Sequence, residues 1–178
     1  MSHSATQDLA VAQGFADNLN GVLERTVSDS RLSLIDLPGD PNTFELTRRV
    51  DGASAPLEFD GTTARLFVQQ VIVVEDGACV TDSYRYLLQE DASIESWRLR
   101  WDYCRNPPPA ERARPRGYVR VNGIWINGES ASTIERVVTG ETPLEMVVWY
   151  LINHWGAKPR SEDWKAIFEE SLEGSHEH

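Results

Sequence analysis

From Asp8 to Val27 apolar residues recur at spacings of three and four. Leu9, Ala12, Ala16, Leu19, Val22 and Leu23 share one stripe, with Phe15 at its edge, the pattern of an amphipathic helix. Leu32 to Leu37 is then stopped by Pro38-Gly39-Asp40-Pro41-Asn42, a segment with strong turn chemistry, and Phe44 to Val50 reads as a strand. The middle of the chain is the most legible. Thr63 to Val74 is rich in β-branched residues, Asp76-Gly77 signals a two-residue hairpin turn, and Cys79 to Gln89 is the return strand. Ile94 to Cys104 follows a polar turn at Glu90 to Ser93. Within it Trp97, Leu99, Trp101 and Tyr103 alternate with Arg98, Arg100 and Asp102, as on a strand with one buried face. A proline-rich loop, Pro107 to Pro115, leads to Tyr118-Val119-Arg120-Val121. A last hairpin is expected through Ile124 to Gly128 and Thr133 to Val138.

The C-terminal part reads as helical. Thr142, Pro143 and Glu145 fit the N-cap, first and third positions of a capping box. Leu144, Val147, Val148, Leu151, Ile152 and Trp155 form the stripe that follows, and Gly156 ends it. Ser161 caps a second helix carrying Trp164, Ile167, Phe168 and Leu172. The expected fold is one α+β domain over residues 1–178: an N-terminal helix, an antiparallel meander of five to seven strands, and two C-terminal helices. Residues 1–7 and 174–178 are expected to lie outside its ordered part.

A two-residue register across Glu90 to Ser93 would set Arg85 opposite Arg98, Ser83 opposite Arg100, Thr81 opposite Asp102 and Cys79 opposite Cys104. One face then collects Val80, Tyr84, Tyr86 and Leu88 with Trp97, Leu99, Trp101 and Tyr103. The other is cationic and polar. It also receives Leu66, Val68 and Ile72, which calls for a covering segment such as the first helix. Arg85 facing Arg98 is unfavourable unless an anion lies between them, and guanidinium groups bind phosphate in a bidentate fork.

Charge sharpens this picture. The chain of 178 residues carries a formal charge of −11, so it lacks the bulk charge for non-specific nucleic-acid binding. Between Arg98 and Arg120, however, seven arginines stand against Asp102 and Glu111, a local +5 that leaves −16 elsewhere. The start lacks the basic end and apolar run of a signal peptide, and no run is long enough for a membrane span, so the expected location is the cytoplasm. No His, Cys or carboxylate falls at metal-ligand spacing and no phosphate-loop or nucleophile-elbow motif occurs, so neither a metal nor a cofactor is expected. His154 is expected to be a half-buried structural histidine, and the two cysteines to be buried thiols filling a strand pair.

Ser83-Tyr84-Arg85-Tyr86, Arg100-Trp101-Asp102-Tyr103 and Tyr118-Val119-Arg120 together resemble the motifs of the TumE family, toxin components of bacterial toxin–antitoxin pairs. That family has a Tyr-x-Tyr strand, an Arg-aromatic-Asp strand and a His-x-His segment; here Tyr118 and Arg120 stand where the histidines would be. The resemblance covers the middle third of the chain, and the first sixty residues have no counterpart in the short family members. It implies a toxin-type protein acting on or binding RNA or another phosphate-bearing substrate. Arg85, Arg98 and Arg100 would hold the phosphate, and Tyr118, Arg120 and Asp102 would take the catalytic positions. Without histidine, the side chain best suited to move protons near neutral pH, such a site would cleave slowly or only bind. Two other readings stand beside it: a non-catalytic module whose basic patch docks an antitoxin or other acidic protein, and a small-molecule domain with its pocket among Trp97, Trp101 and Trp125.

Overall fold

The computed structural model describes residues 5–40, 42–93, 96–112, 115–122, 124–126, 129–131 and 135–174. The first apolar stripe forms α1 (Ala5–Thr26), which begins three residues before Asp8. Its buried positions, Ala12, Ala16, Leu19, Val22 and Leu23, are those of the stripe, but Leu9 is exposed. Asn20, also buried, receives the Leu32 N–H on Oδ1 at 2.7 Å and donates through Nδ2 to the Leu32 carbonyl at 3.0 Å. That bracket fixes where the chain leaves the helix.

Strands β1 (Ser33–Asp36), β2 (Thr43–Thr47), β6 (Arg65–Glu75), β7 (Ala78–Gln89), β8 (Trp97–Cys104), β9 (Gly117–Val121) and β12 (Glu135–Val138) lie in that order in one antiparallel sheet, and β5 (Leu57–Glu58) joins at β6. The single strand expected from Phe44 to Val50 is broken. After β2 the chain makes a small ribbon, β3 (Arg49–Val50) with β4 (Ala53–Ser54), around Asp51 and Gly52, both at positive φ. Beyond β9, β10 (Ile124–Ile126) pairs with β11 (Glu129–Ala131), and it is β12 that returns to β9. Residues 127, 128, 133 and 134 of the expected last hairpin lie outside the described residues.

The Asp76-Gly77 turn forms as expected, with φ of 52° and 85°, and pairs Glu75 with Ala78 and Val73 with Val80. Six residues on, the ladder slips. Thr81 faces Ile72 and Ser83 faces Val71, leaving Asp82 as an extra residue in β7, a β-bulge. Because strand side chains alternate with a period of two, one extra residue swaps the faces beyond it. Leu66, Val68 and Ile72 therefore join Tyr84, Tyr86 and Leu88 in the buried core, not the polar face. On the turn side of the bulge, Val80 leaves the core face, and Thr81 enters it to accept a hydrogen bond from Gln70 Nε2 at 3.3 Å. Gln70 Oε1 in turn accepts the Tyr86 hydroxyl at 2.9 Å, so this buried polar pair is satisfied.

One face of the sheet carries α1, α2 (Leu144–His154) and α3 (Trp164–Gly174) around a single core. Helix α2 starts one residue later than a capping box would set it: Pro143 is the N-cap, with no side-chain cap. The Thr142 N–H instead donates to the Tyr84 hydroxyl oxygen at 2.7 Å, and buried Glu145 accepts from Ser171 Oγ at 2.9 Å, joining α2 to α3. Ser161 Oγ accepts the Asp163 N–H at 3.1 Å in the turn that precedes α3, three residues before the helix begins. No helix is long and apolar enough to cross a membrane, among the described residues.

Candidate functional site

The open face of the sheet is where the arginines gather. The β7–β8 connection is longer than a two-residue turn: Glu90 N–H donates to the Ser96 carbonyl at 3.1 Å, and inside it Asp91 Oδ1 accepts the Ser93 N–H at 2.7 Å. That short contact, with help from Ser96, holds the Asp91 carboxyl below the usual carboxylate range. The longer loop moves the register by four residues. Arg85 faces Asp102, not Arg98, and Ser83 faces Cys104. Four is even, so the alternation of faces survives from Ser83 to Leu88, where a further slip sets Gln89 opposite Trp97, while the Arg–Arg clash becomes an Arg–Asp pair. Cys79, paired with Val74, is not across from Cys104, and both are free thiols. Burial pushes the Cys79 thiol up to about 11.

Strand β9 adds beside β8 with Asp102 opposite Tyr118 and Arg100 opposite Arg120, so both β9 residues extend the polar face as expected. Gly117 opens this strand because nothing larger fits: a Cβ there would lie 1.7 Å from the Gly140 carbonyl oxygen. The Gly117 carbonyl accepts the N–H groups of Thr139 and Gly140 at 3.1 and 3.3 Å, which ties the end of β12 to the start of β9.

Asp102 is the hub of the face. Arg100 Nε donates to its Oδ2 at 2.7 Å, Arg85 Nε donates to its Oδ1 at 3.3 Å, and Arg120 Nε lies 3.7 Å from Oδ2. Arg120 Nη2 also donates to the Tyr118 hydroxyl oxygen at 3.1 Å, with its guanidinium 5.3 Å from the Tyr118 ring centre. Arg120 Nε is buried without a hydrogen-bond partner among the described residues. Asp102 is 13% exposed, Arg120 21%, Arg100 25% and Arg85 57%, so three charges are recessed and Arg85 stands at the rim.

These residues line a concave cavity of about 390 Å³ together with Gln69 and Ser83, and Pro107, Glu111, Pro115 and Arg116 of the proline-rich loop close one side. Four arginines against Asp102 and Glu111 leave it positive in a chain of −11. Among the lining residues there is no histidine, so no side chain there ordinarily titrates near neutrality. Five of the six residues singled out from the sequence, Arg85, Arg100, Asp102, Tyr118 and Arg120, share this cavity. Arg98 does not line it: its Nη2 donates to Glu90 Oε2 at 2.6 Å, at the end of the strand. Sequence reasoning passed over Arg116 and the loop prolines as site elements; the arginine count from 98 to 120 was the signal that could have included Arg116.

Tyr84 and Tyr86, the Tyr-x-Tyr pair, belong to the opposite, buried face. Their rings stack 4.3 Å apart at 2°, and Tyr103 continues the stack at 5.3 Å. Burial pushes the phenols of Tyr84 and Tyr86 above the ordinary tyrosine range. His154 is exposed, against expectation, with its ring 4.7 Å from that of Tyr150. No group of three or more His, Cys, Asp or Glu able to hold a metal occurs among the described residues. Compared with known proteins, the chain matches no family model, no curated protein and no solved structure.

Proposed function

We propose that the arginine cavity binds phosphate groups of RNA and that the chain is a toxin-type protein of TumE-like character. One observation carries the reading: three guanidinium groups converge on a single recessed carboxylate, which orders them and leaves positive charge to spare. Ordered guanidinium forks lose less freedom on binding a phosphate than mobile ones do. The recess favours a small protruding anion over the flat face of an acidic protein.

Asp102 acts here as the organiser of the arginines, because hydrogen bonds from Arg85 and Arg100 already occupy both its oxygens. Arg100 and Arg120 hold the phosphate, Arg85 admits it at the rim, and Tyr118 lies beside it, positioned by Arg120. With no histidine lining the cavity, its chemical contribution is charge stabilisation and positioning, not fast proton transfer.

The test is fluorescence anisotropy with a labelled single-stranded RNA, with inorganic phosphate as competitor. Arg120→Gln is expected to weaken binding about 10- to 100-fold, the range of a lost charge-assisted hydrogen bond or two, and Arg98→Gln about twofold or less. Equal losses from the two variants would reduce the effect to general charge. Binding of an acidic peptide in preference to RNA would replace this reading by that of a protein-docking module.

A further inference from the structure

A second concave site lies on the other face of the sheet. It is a groove of about 750 Å³ between α2 and the part of the sheet built by β8 and β9. Leu99, Trp101, Val119 and Val121 supply its sheet wall, and Met146, Trp149 and Tyr150 its helix wall. Trp101 meets Tyr150 edge-on at 6.0 Å, and Trp149 meets Trp164 at 4.9 Å, so the aromatic walls are locked by their neighbours. Met146 is 44% exposed at the mouth. An exposed apolar side chain beside an aromatic trough is costly in water, and such sites commonly mark ligand grooves.

Asn153, His154, Lys165, Thr139 and Thr142 are the polar residues of its lining, and no Asp or Glu lines the groove. In a chain of −11 that absence favours an anion. Lys165 takes part in no ion pair among the described residues; its ammonium sits 5.5 Å from the centre of the Trp164 ring. The volume falls in the range of small-molecule sites, roughly 300–1,000 Å³.

We propose that this groove binds an apolar monocarboxylate, with its hydrocarbon body against Trp101, Tyr150 and Met146 and its carboxylate at Lys165. The body is held by burial of apolar surface, which is non-directional and carries most of the affinity. The head is held by an exposed ion pair, which selects charge sign more than it adds affinity. The arginine cavity opens on the opposite face, so the two sites do not compete for the same residues.

The experiment is a decanoate titration followed by the indole N–H signals of the tryptophans in two-dimensional NMR, with decanol and decyltrimethylammonium as controls. Trp101 and Trp149 are expected to shift with saturation while Trp97 stays in place. Decanol should bind about two- to fivefold more weakly, the scale of one exposed ion pair, and the cationic amphiphile more weakly again. Lys165→Gln should bring decanoate and decanol to equal affinity. Met146→Glu should weaken decanoate more than tenfold, and because Met146 is exposed an unchanged spectrum elsewhere would show that the fold persists. Absence of saturable shifts at Trp101 and Trp149, or equal binding of the cationic amphiphile, overturns the proposal. So does concentration-dependent self-association that buries the same indoles without ligand, which would make the groove an interface between copies.

Discussion

Asp102 holds three like charges together, and its replacement separates two roles that are otherwise mixed. In Asp102→Asn the arginines lose their common counter-charge while the side chain keeps its shape. Thermal melts are expected to show a loss of about 1–3 kcal/mol, the cost of removing a charged partner from a half-buried hydrogen-bond network. Affinity for RNA is expected to fall as well, because guanidinium groups no longer ordered by a common carboxylate lose more freedom on pairing with phosphate. A variant that lost stability but kept or gained affinity would show that the ordering by Asp102 contributes nothing to phosphate binding. A second charge cluster lies far from this face. Arg160 donates to Asp60 Oδ2 at 2.8 Å and, through Nη1 and Nη2, to Asp29. The hydrogen bond from Arg160 holds the Asp29 carboxyl below the usual aspartate range. A carboxyl lowered in the folded state stabilises the fold above its unfolded value, about 4, and that share disappears as pH falls through the folded value. The melting-temperature gap between wild type and Arg160→Gln should therefore be open at pH 7 and close below about pH 4. A gap that stayed constant down to pH 2.5 would assign Arg160's effect to packing.

At the scale of elements the decisive feature is Asp82. Without that extra residue the two-residue turn at Asp76-Gly77 would set the whole hairpin, and Leu66, Val68 and Ile72 would face the arginines. Deleting Asp82 is expected to abolish cooperative unfolding, since re-registering β7 would expose Tyr84, Tyr86 and Leu88, each worth roughly 1.5–3 kcal/mol when buried. Circular dichroism melts check this; a stable, cooperative deletion variant would show that the bulge is dispensable. The hairpins themselves were legible in the sequence because β-branched runs and Asp-Gly turns act locally. The bulge was not, because no residue type demands it; it forms where the core needs a change of face. The β7–β8 register was missed by four residues for a related reason, as a loop capped through Asp91 and Ser96 competes with a tight turn over the same polar residues. The faces were nonetheless read correctly from Leu99 to Tyr103 on β8 and from Tyr84 to Leu88 on β7, because the error was even; a second slip, between Leu88 and Gln89, sets Trp97 opposite Gln89 and leaves it out of the core. That is why the arginine surface was found while its pairing was not. Thr142 and Glu145 satisfied the pattern of a capping box, yet the Tyr84 hydroxyl accepts the Thr142 N–H and Ser171 donates to Glu145, tertiary partners that no local pattern reveals.

For the molecule as a whole, the sheet separates two environments. Helices cover one face and build the core, and the proline-rich loop borders the cavity on the other. A protein with a net charge of −11 repels polyanions at long range, so RNA binding by a positive recess should be weak in encounter and local in contact. That arrangement makes residue-resolved observation more telling than bulk affinity. The most direct test is NMR of the arginine Nε–H groups during titration with single-stranded RNA. Signals of Arg85, Arg100 and Arg120 are expected to shift together and saturate, while those of Arg98, held by Glu90, and Arg160, held by Asp29 and Asp60, stay in place. Saturation without movement of Arg100 and Arg120, or movement centred on Arg98, would contradict the assignment of the cavity as the phosphate site.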